Sequence, residues 1–177
     1  MAGRTPAEAV ASFLSPLQLA LSTVTRSVLL HDGTEPGREH SLFAAGGSVP
    51  LQGSARLSLW LSHQYFVVRD DDPDRGPWRV RTSGYMYRVE EEEVGEILAY
   101  HWDPETSSTH LPHLHLGPAA RVGAQLLHRA HIYTGRIAIE DVLLLAIEEF
   151  GVKPLRDDWR TVLMSGRAQF HRWRSWG

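Results

Sequence analysis

An α+β fold, with one antiparallel sheet and helices packed on it, follows from three features of the sequence. Apolar residues recur at helical spacing in the first thirty or so positions and again after Gly117. Between Ala55 and Leu116 a two-residue alternation takes over, enriched in β-branched and aromatic side chains. Short polar turns divide that middle stretch, so a four-stranded antiparallel meander is the simplest topology.

Thr5-Pro6-Ala7-Glu8 carries a capping box with proline at the first helical position, where its missing N–H costs nothing, and predicts a helix start. Ser15-Pro16 predicts a break, followed by a second helical segment to about Leu30 built on Leu17, Leu21, Val24 and Val28. His31-Asp32-Gly33 ends it. Residues 32–54, with Gly46-Gly47 and Pro50, read as a loop. Four strands are then expected, at Arg56 to Arg69, Trp78 to Glu90, Glu96 to Trp102 and Leu111 to Leu116, with Gly84 marking a bulge. The runs Asp70 to Asp74 and Glu90 to Glu93 lack the ligand spacing of a calcium loop and read as solvated turns. Helices are predicted from Ala120 to Ile132, from Ile139 to Phe150 with Gly151 as a stop, and from Arg156 to Trp173. The whole of 1–177 reads as a single domain: N-terminal helices at 1–31, the loop, the sheet at 55–117 and C-terminal helices at 118–177.

Composition narrows the function. The chain has no cysteine, which excludes disulfides, thiolate metal sites and a cysteine nucleophile. A net charge of −3 argues against a basic footprint over the whole surface but leaves a local basic face open. The longest apolar runs fall short of a membrane span, so no membrane partner and a cytoplasmic location are expected. No phosphate loop, nucleophile elbow or H-E-x-x-H motif occurs.

The strongest chemical signal is histidine. Six of ten histidines lie between His101 and His131, and His110, His113 and His115 fall within six residues. Residues two apart in a strand share a face, so His113 and His115 project together while Leu114 and Leu116 face the core. Pairing Ala99 with His113 and Ile97 with His115 puts His101 on the histidine face and Leu98, Tyr100 and Trp102 with the leucines. A slip of one residue would disperse the cluster. Neutral imidazoles that converge can bind zinc or another imidazole-binding divalent metal, with His110, Glu96, Asp103 or water as a fourth ligand. One of them alone could serve as a general base, and the same residues could equally be polar groups on a solvated sheet face. His63, in phase with Leu57, Leu59 and Leu61, reads as a hydrogen-bonded, half-buried histidine; His128 and His131 read as neighbours on a helix. The Arg156 to Trp176 segment interleaves arginine with tryptophan, which suits either nucleic acid or docking of an amphipathic helix on the sheet or on a second protomer.

Pro112-His113-Leu114-His115-Leu116 lacks the third alternating histidine of the histidine-triad nucleotide hydrolases, having Gly117 there. The longer run from Tyr85 to Gly117, "YMYRV…EILAYHWDPETSSTHLPHLHLG", followed by the acidic-leucine helix near Glu140, resembles the TumE-like toxins of bacterial toxin–antitoxin modules. Tyr100 matches the family's tyrosine, and His113 and His115 match its closing histidine pair. His101-Trp102-Asp103 stands where the family has Asp-Asn after the tyrosine, and the N-terminal helices and long tail lie outside the match. The resemblance implies a bacterial toxin acting on nucleic acid, with a cognate antitoxin as partner and with Tyr100, His113 and His115 as active residues, which His101 joins through the strand register. A non-catalytic metal- or ligand-binding interaction module, homo-oligomeric in one form of that reading, and a metal-dependent hydrolase of small molecules are the other readings open to the residues.

Overall fold

The computed structural model of the chain describes residues 2–70, 76–105 and 109–173. Its elements run β1 (Ala2–Gly3), α1 (Pro6–Leu21), β2 (Leu29–His31), β3 (Glu39–Leu51), β4 (Leu57–Arg69), β5 (Trp78–Glu91), β6 (Gly95–Trp102), β7 (His113–Leu116), β8 (Ile132–Tyr133), α2 (Ile139–Glu148) and α3 (Trp159–Trp173). Strands β2 to β8 lie side by side in sequence order, all antiparallel, and β1 pairs with the start of β5 beyond the end of β6. The α+β class and the antiparallel meander stand, but the sheet has eight strands where the sequence predicts four.

The four predicted strands survive as β4 to β7; the additional ones arise where turn chemistry hides a strand. β3 occupies much of the stretch that reads as a loop. Its buried positions are His40, Leu42 and Ala44 in the first half and Val49 and Leu51 in the second, so the alternation changes parity midway. The change falls at a bulge between Phe43 and Ser48, where Gly46 and Gly47 take φ of 85° and 79°. Two short in-phase runs therefore look like no run at all. The bulge expected at Gly84 is present, since Gln64 pairs with Gly84 while Tyr65 pairs with Thr82.

Two helical expectations also change. α1 passes through Pro16 without ending, because the apolar face of Ala9, Val10, Phe13, Ala20 and Leu21 stays in phase and the hydrogen bond that proline deletes belongs to the exposed turn at Ser12. The second segment is not helical: Gln18 binds the carbonyl of Ser27 at 3.0 Å and the amide of Leu29 at 2.7 Å, turning the chain back into β2. The helix expected from Ala120 to Ile132 is replaced by two short 3-10 turns, Pro118–Ala120 and Gln125–Arg129. Gly123 interrupts it and Leu126 stays 72 % exposed, so its apolar side has nothing to pack on.

All three helices cover one face of the sheet. Leu57, Leu59 and Leu61 of β4, Tyr87 and Val89 of β5 and Leu98 and Trp102 of β6 form one core with Ala20, Leu21, Val142, Leu143, Ala146 and Leu163. The Arg-rich end of the chain docks into this layer: Arg160 pairs with Glu148 at 2.5 Å, Arg167 with Asp141 at 2.7 Å, and Arg156 donates to Ser22 Oγ at 3.1 Å. Arg174 and Trp176, which the sequence reading includes in that segment, lie outside the described residues, as do Asp71 to Asp74 of the acidic turn. No helix among the described residues is long and apolar enough to cross a membrane.

Candidate metal centre

The opposite face of the sheet carries the histidines. On β6 and β7 the register is Leu98 with Leu116, Ala99 with His115, Tyr100 with Leu114 and His101 with His113. This is two residues from the expected pairing of Ala99 with His113, and the sequence-based register is corrected accordingly. A shift of two preserves parity, so each residue keeps its predicted face. On the other side of β6, Val89 pairs with Leu98 but Glu90 with Glu96, so Ile97 bulges out of the β5–β6 ladder and takes no paired place opposite His115. Gly117 locks the result, donating its amide to the Ile97 carbonyl at 2.9 Å, with the Glu96 carbonyl so close that a Cβ would collide with it.

His101, His113 and His115 thereby converge, with one ring nitrogen from each lying within 4.8 Å of the other two. His113 is buried, and its Nδ1 donates to the Leu111 carbonyl at 2.7 Å, which fixes the tautomer and leaves the Nε2 lone pair aimed into the cluster. There it meets His115 Nε2 at 2.9 Å. Burial, then the neighbouring His113, push His101 below the ordinary imidazole range, while Asp103 opposes the shift. Burial, reinforced by His113, His131 and His101, lowers His115 to about 4. Both of these rings are thus neutral near pH 7, the state in which imidazole donates to a metal. Three converging imidazole nitrogens, two of them on partly exposed rings, fit a divalent, imidazole-binding ion with a coordination position left over.

The other sequence candidates separate. Tyr100 lies on the helix-facing side, opposite Leu114, and does not meet the histidines. His110 turns away, with Nδ1 2.7 Å from the Pro104 carbonyl, and His128 contacts the carbonyls of Leu116 and Val122. His131 is the residue the sequence undervalues. It sits one place before β8, opposite His115 if the ladder of His113 with Tyr133 and Leu114 with Ile132 continues. Its ring stacks on His113 at 4.7 Å and meets His115 edge-on at 4.6 Å, while Nδ1 lies 2.5 Å from Thr109 Oγ1. Reading its segment as a helix concealed this; a two-residue strand leaves no periodicity to detect.

A second polar group lies under the helices. His63 is buried, meets Tyr87 Oη at 2.8 Å through Nε2, and has no hydrogen-bond partner at Nδ1 among the described residues. Burial, aided by Arg136, lowers it to about 3. Tyr85 stacks on Tyr87 at 4.9 Å, and its hydroxyl accepts the Ile137 amide at 3.0 Å. Glu140, on α2 against Gly166, is raised by burial to about 7. These residues sit among core side chains across the sheet from the histidine cluster.

No family model, no curated protein and no solved structure matches the chain.

Proposed function

We propose that His101, His113 and His115 hold a divalent metal ion, zinc or another imidazole-binding metal, and that the chain is a metal-dependent hydrolase working on the uncovered sheet face. The observation that carries this reading is the convergence of three ring nitrogens within 4.8 Å, with His113 oriented by the Leu111 carbonyl. Such an ion, when bound, supplies Lewis acidity and a lowered pKa for water. The chain supplies the rest: two partly exposed ligand rings open to substrate, and His131, held by Thr109 beside the ligand rings, placed to take a proton. A purely structural metal would favour enclosure on all sides, and His101 and His115 are not enclosed.

The test is hydrolysis of chromogenic phosphate and carboxylate esters by zinc-loaded, untagged protein. The reading expects turnover that a chelator abolishes and that His113→Ala lacks. Zinc uptake that raises the melting temperature with no turnover of either ester class would overturn the catalytic half and leave a binding module.

Within the same proposal, the likeness of Tyr85 to Gly117 to TumE-like toxins supplies a biological role, a bacterial toxin acting on nucleic acid and restrained by an antitoxin. Growth arrest on induced expression, relieved by the neighbouring gene and lost in His113→Ala, is the expected outcome. Harmless expression of folded protein contradicts the role. In this reading Tyr100, opposite Leu114 on the other face of the sheet, supports the strand and does not contact the reacting group.

A further inference from the structure

The row of paired residues that crosses the centre reads Met86, His101, His113, Tyr133 from β5 to β8, because Met86 pairs with His101, His101 with His113 and His113 with Tyr133. Paired residues of antiparallel strands share a face, so Tyr133 is the direct neighbour of a proposed ligand, its Cβ about 5 Å from that of His113. His131 checks this direction. It lies two residues earlier with the same parity, and its ring meets those of His113 and His115 at 4.7 and 4.6 Å. β8 thus turns both His131 and Tyr133 to the metal side of the sheet.

The two rings differ in what they already touch. His131 packs on the cluster and is held by Thr109, whereas Tyr133 is 65 % exposed and makes no hydrogen bond or ring contact among the described residues. It is the exception among the five tyrosines, since Tyr65, Tyr85 and Tyr87 are buried and Tyr100 packs against the core. A single exposed apolar side chain is ordinary on a protein surface, but this one borders three converging imidazoles.

The surroundings select the chemistry that this ring can serve. The row contains no Asp, Glu, Lys or Arg, and the charges that act on His115 are those of the other imidazoles alone. A ligand held by the ion through one anionic group therefore finds in this row no partner for a second charge. It finds an uncharged aromatic ring, which favours another ring in offset or edge-on contact at about 4.5–7 Å between centroids.

We infer that Tyr133 is a specificity-determining wall of the histidine centre and that the ligand of this site carries a planar aromatic group beside its metal-binding group. The inference rests on the metal reading above and narrows the substrates of the hydrolase to those with an aromatic ring next to the bond that is cleaved. Ligands with only small aliphatic groups are the competing class, and they leave the Tyr133 ring unused.

The experiment uses full-length, untagged protein loaded with cobalt(II), whose visible absorption reports the centre directly. Acetohydroxamate and benzohydroxamate are titrated in; both bind a divalent ion through the same two oxygens and differ in carrying a methyl or a phenyl group. The phenyl compound is expected to bind at least about fivefold more tightly. Tyr133→Ala is expected to cut that preference to about twofold or less while keeping the ligand-free cobalt spectrum and the acetohydroxamate affinity. Tyr133→Phe is expected to keep the preference, because the ring and not the hydroxyl carries it. The exposure of Tyr133 makes both variants surface changes that the fold tolerates. Cobalt uptake with no response to either hydroxamate, equal affinities for the two, an undiminished preference in Tyr133→Ala, or its loss in Tyr133→Phe overturns the inference while the metal reading stands. Failure of the wild-type protein to take up cobalt overturns both.

Discussion

His101 faces His113 directly across the β6–β7 ladder, with ring centroids 5.3 Å apart at 71°. His115, two residues along from His113, closes the triangle at 4.7 Å from His113 and 6.4 Å from His101. One pairing and one pleat repeat thus assemble the three rings, with no loop needed to bring them together. Rigid strands place ligands more reproducibly than loops do.

The separation of candidates by strand face predicts which substitutions matter. Removing His113 is expected to reduce zinc affinity by at least about a hundredfold, since it removes the ring that touches both others. Tyr100→Phe and His110→Ala are expected to leave affinity within about threefold. Calorimetric titration of the four proteins checks this, and a His110→Ala effect as large as that of His113→Ala would place His110 in the centre.

His63 makes stability fall in acid. Its folded value near 3 lies below the unfolded 6.5, so its contribution is complete above pH 6.5 and is lost as pH falls toward 3, at up to about 1.4 kcal/mol per pH unit. Glu140 has the opposite sign: raised from 4.5 to about 7, it costs stability above pH 7 and recovers it as pH falls to 4.5. Between pH 6.5 and 4.5 the two slopes offset. Urea midpoints are expected to change little over that range and to drop below it, whereas Glu140→Gln exposes the His63 slope from pH 6.5 downward.

Glu140→Gln also has a sign of its own at high pH. Because the carboxylate is buried, replacing it with a neutral amide is expected to stabilise the protein at pH 8 by roughly 1–3 kcal/mol, with the gain vanishing below pH 4.5. Thermal melts at pH 8 and pH 4 read this out. Destabilisation at pH 8 would mean that the ionised carboxylate holds a partner.

Tyr87→Phe removes the 2.8 Å contact with His63 and leaves that buried ring without a hydrogen-bond partner among the described residues at either nitrogen. A loss of about 1–3 kcal/mol is expected in urea unfolding.

Much of this fold is legible in the sequence, and the failures share a cause. β4 to β7 are long or strictly alternating, so pattern alone locates them within a residue or two. β3 is hidden by the parity change at Gly46 and Gly47, and β8 by its two-residue length. The facing of His101, His113 and His115 is legible because parity depends only on the pleat. The exact register is not, because pairings two residues apart keep every side chain on the same face, so the pattern alone does not choose between them.

Metal analysis of untagged protein purified without chelators tests the central claim most directly. The account predicts about one equivalent of zinc or a similar divalent ion per chain, lost together in His101→Ala, His113→Ala and His115→Ala variants that remain folded. Metal-free protein that takes up none on titration, or wild-type stoichiometry retained in the folded His113→Ala variant, would contradict it.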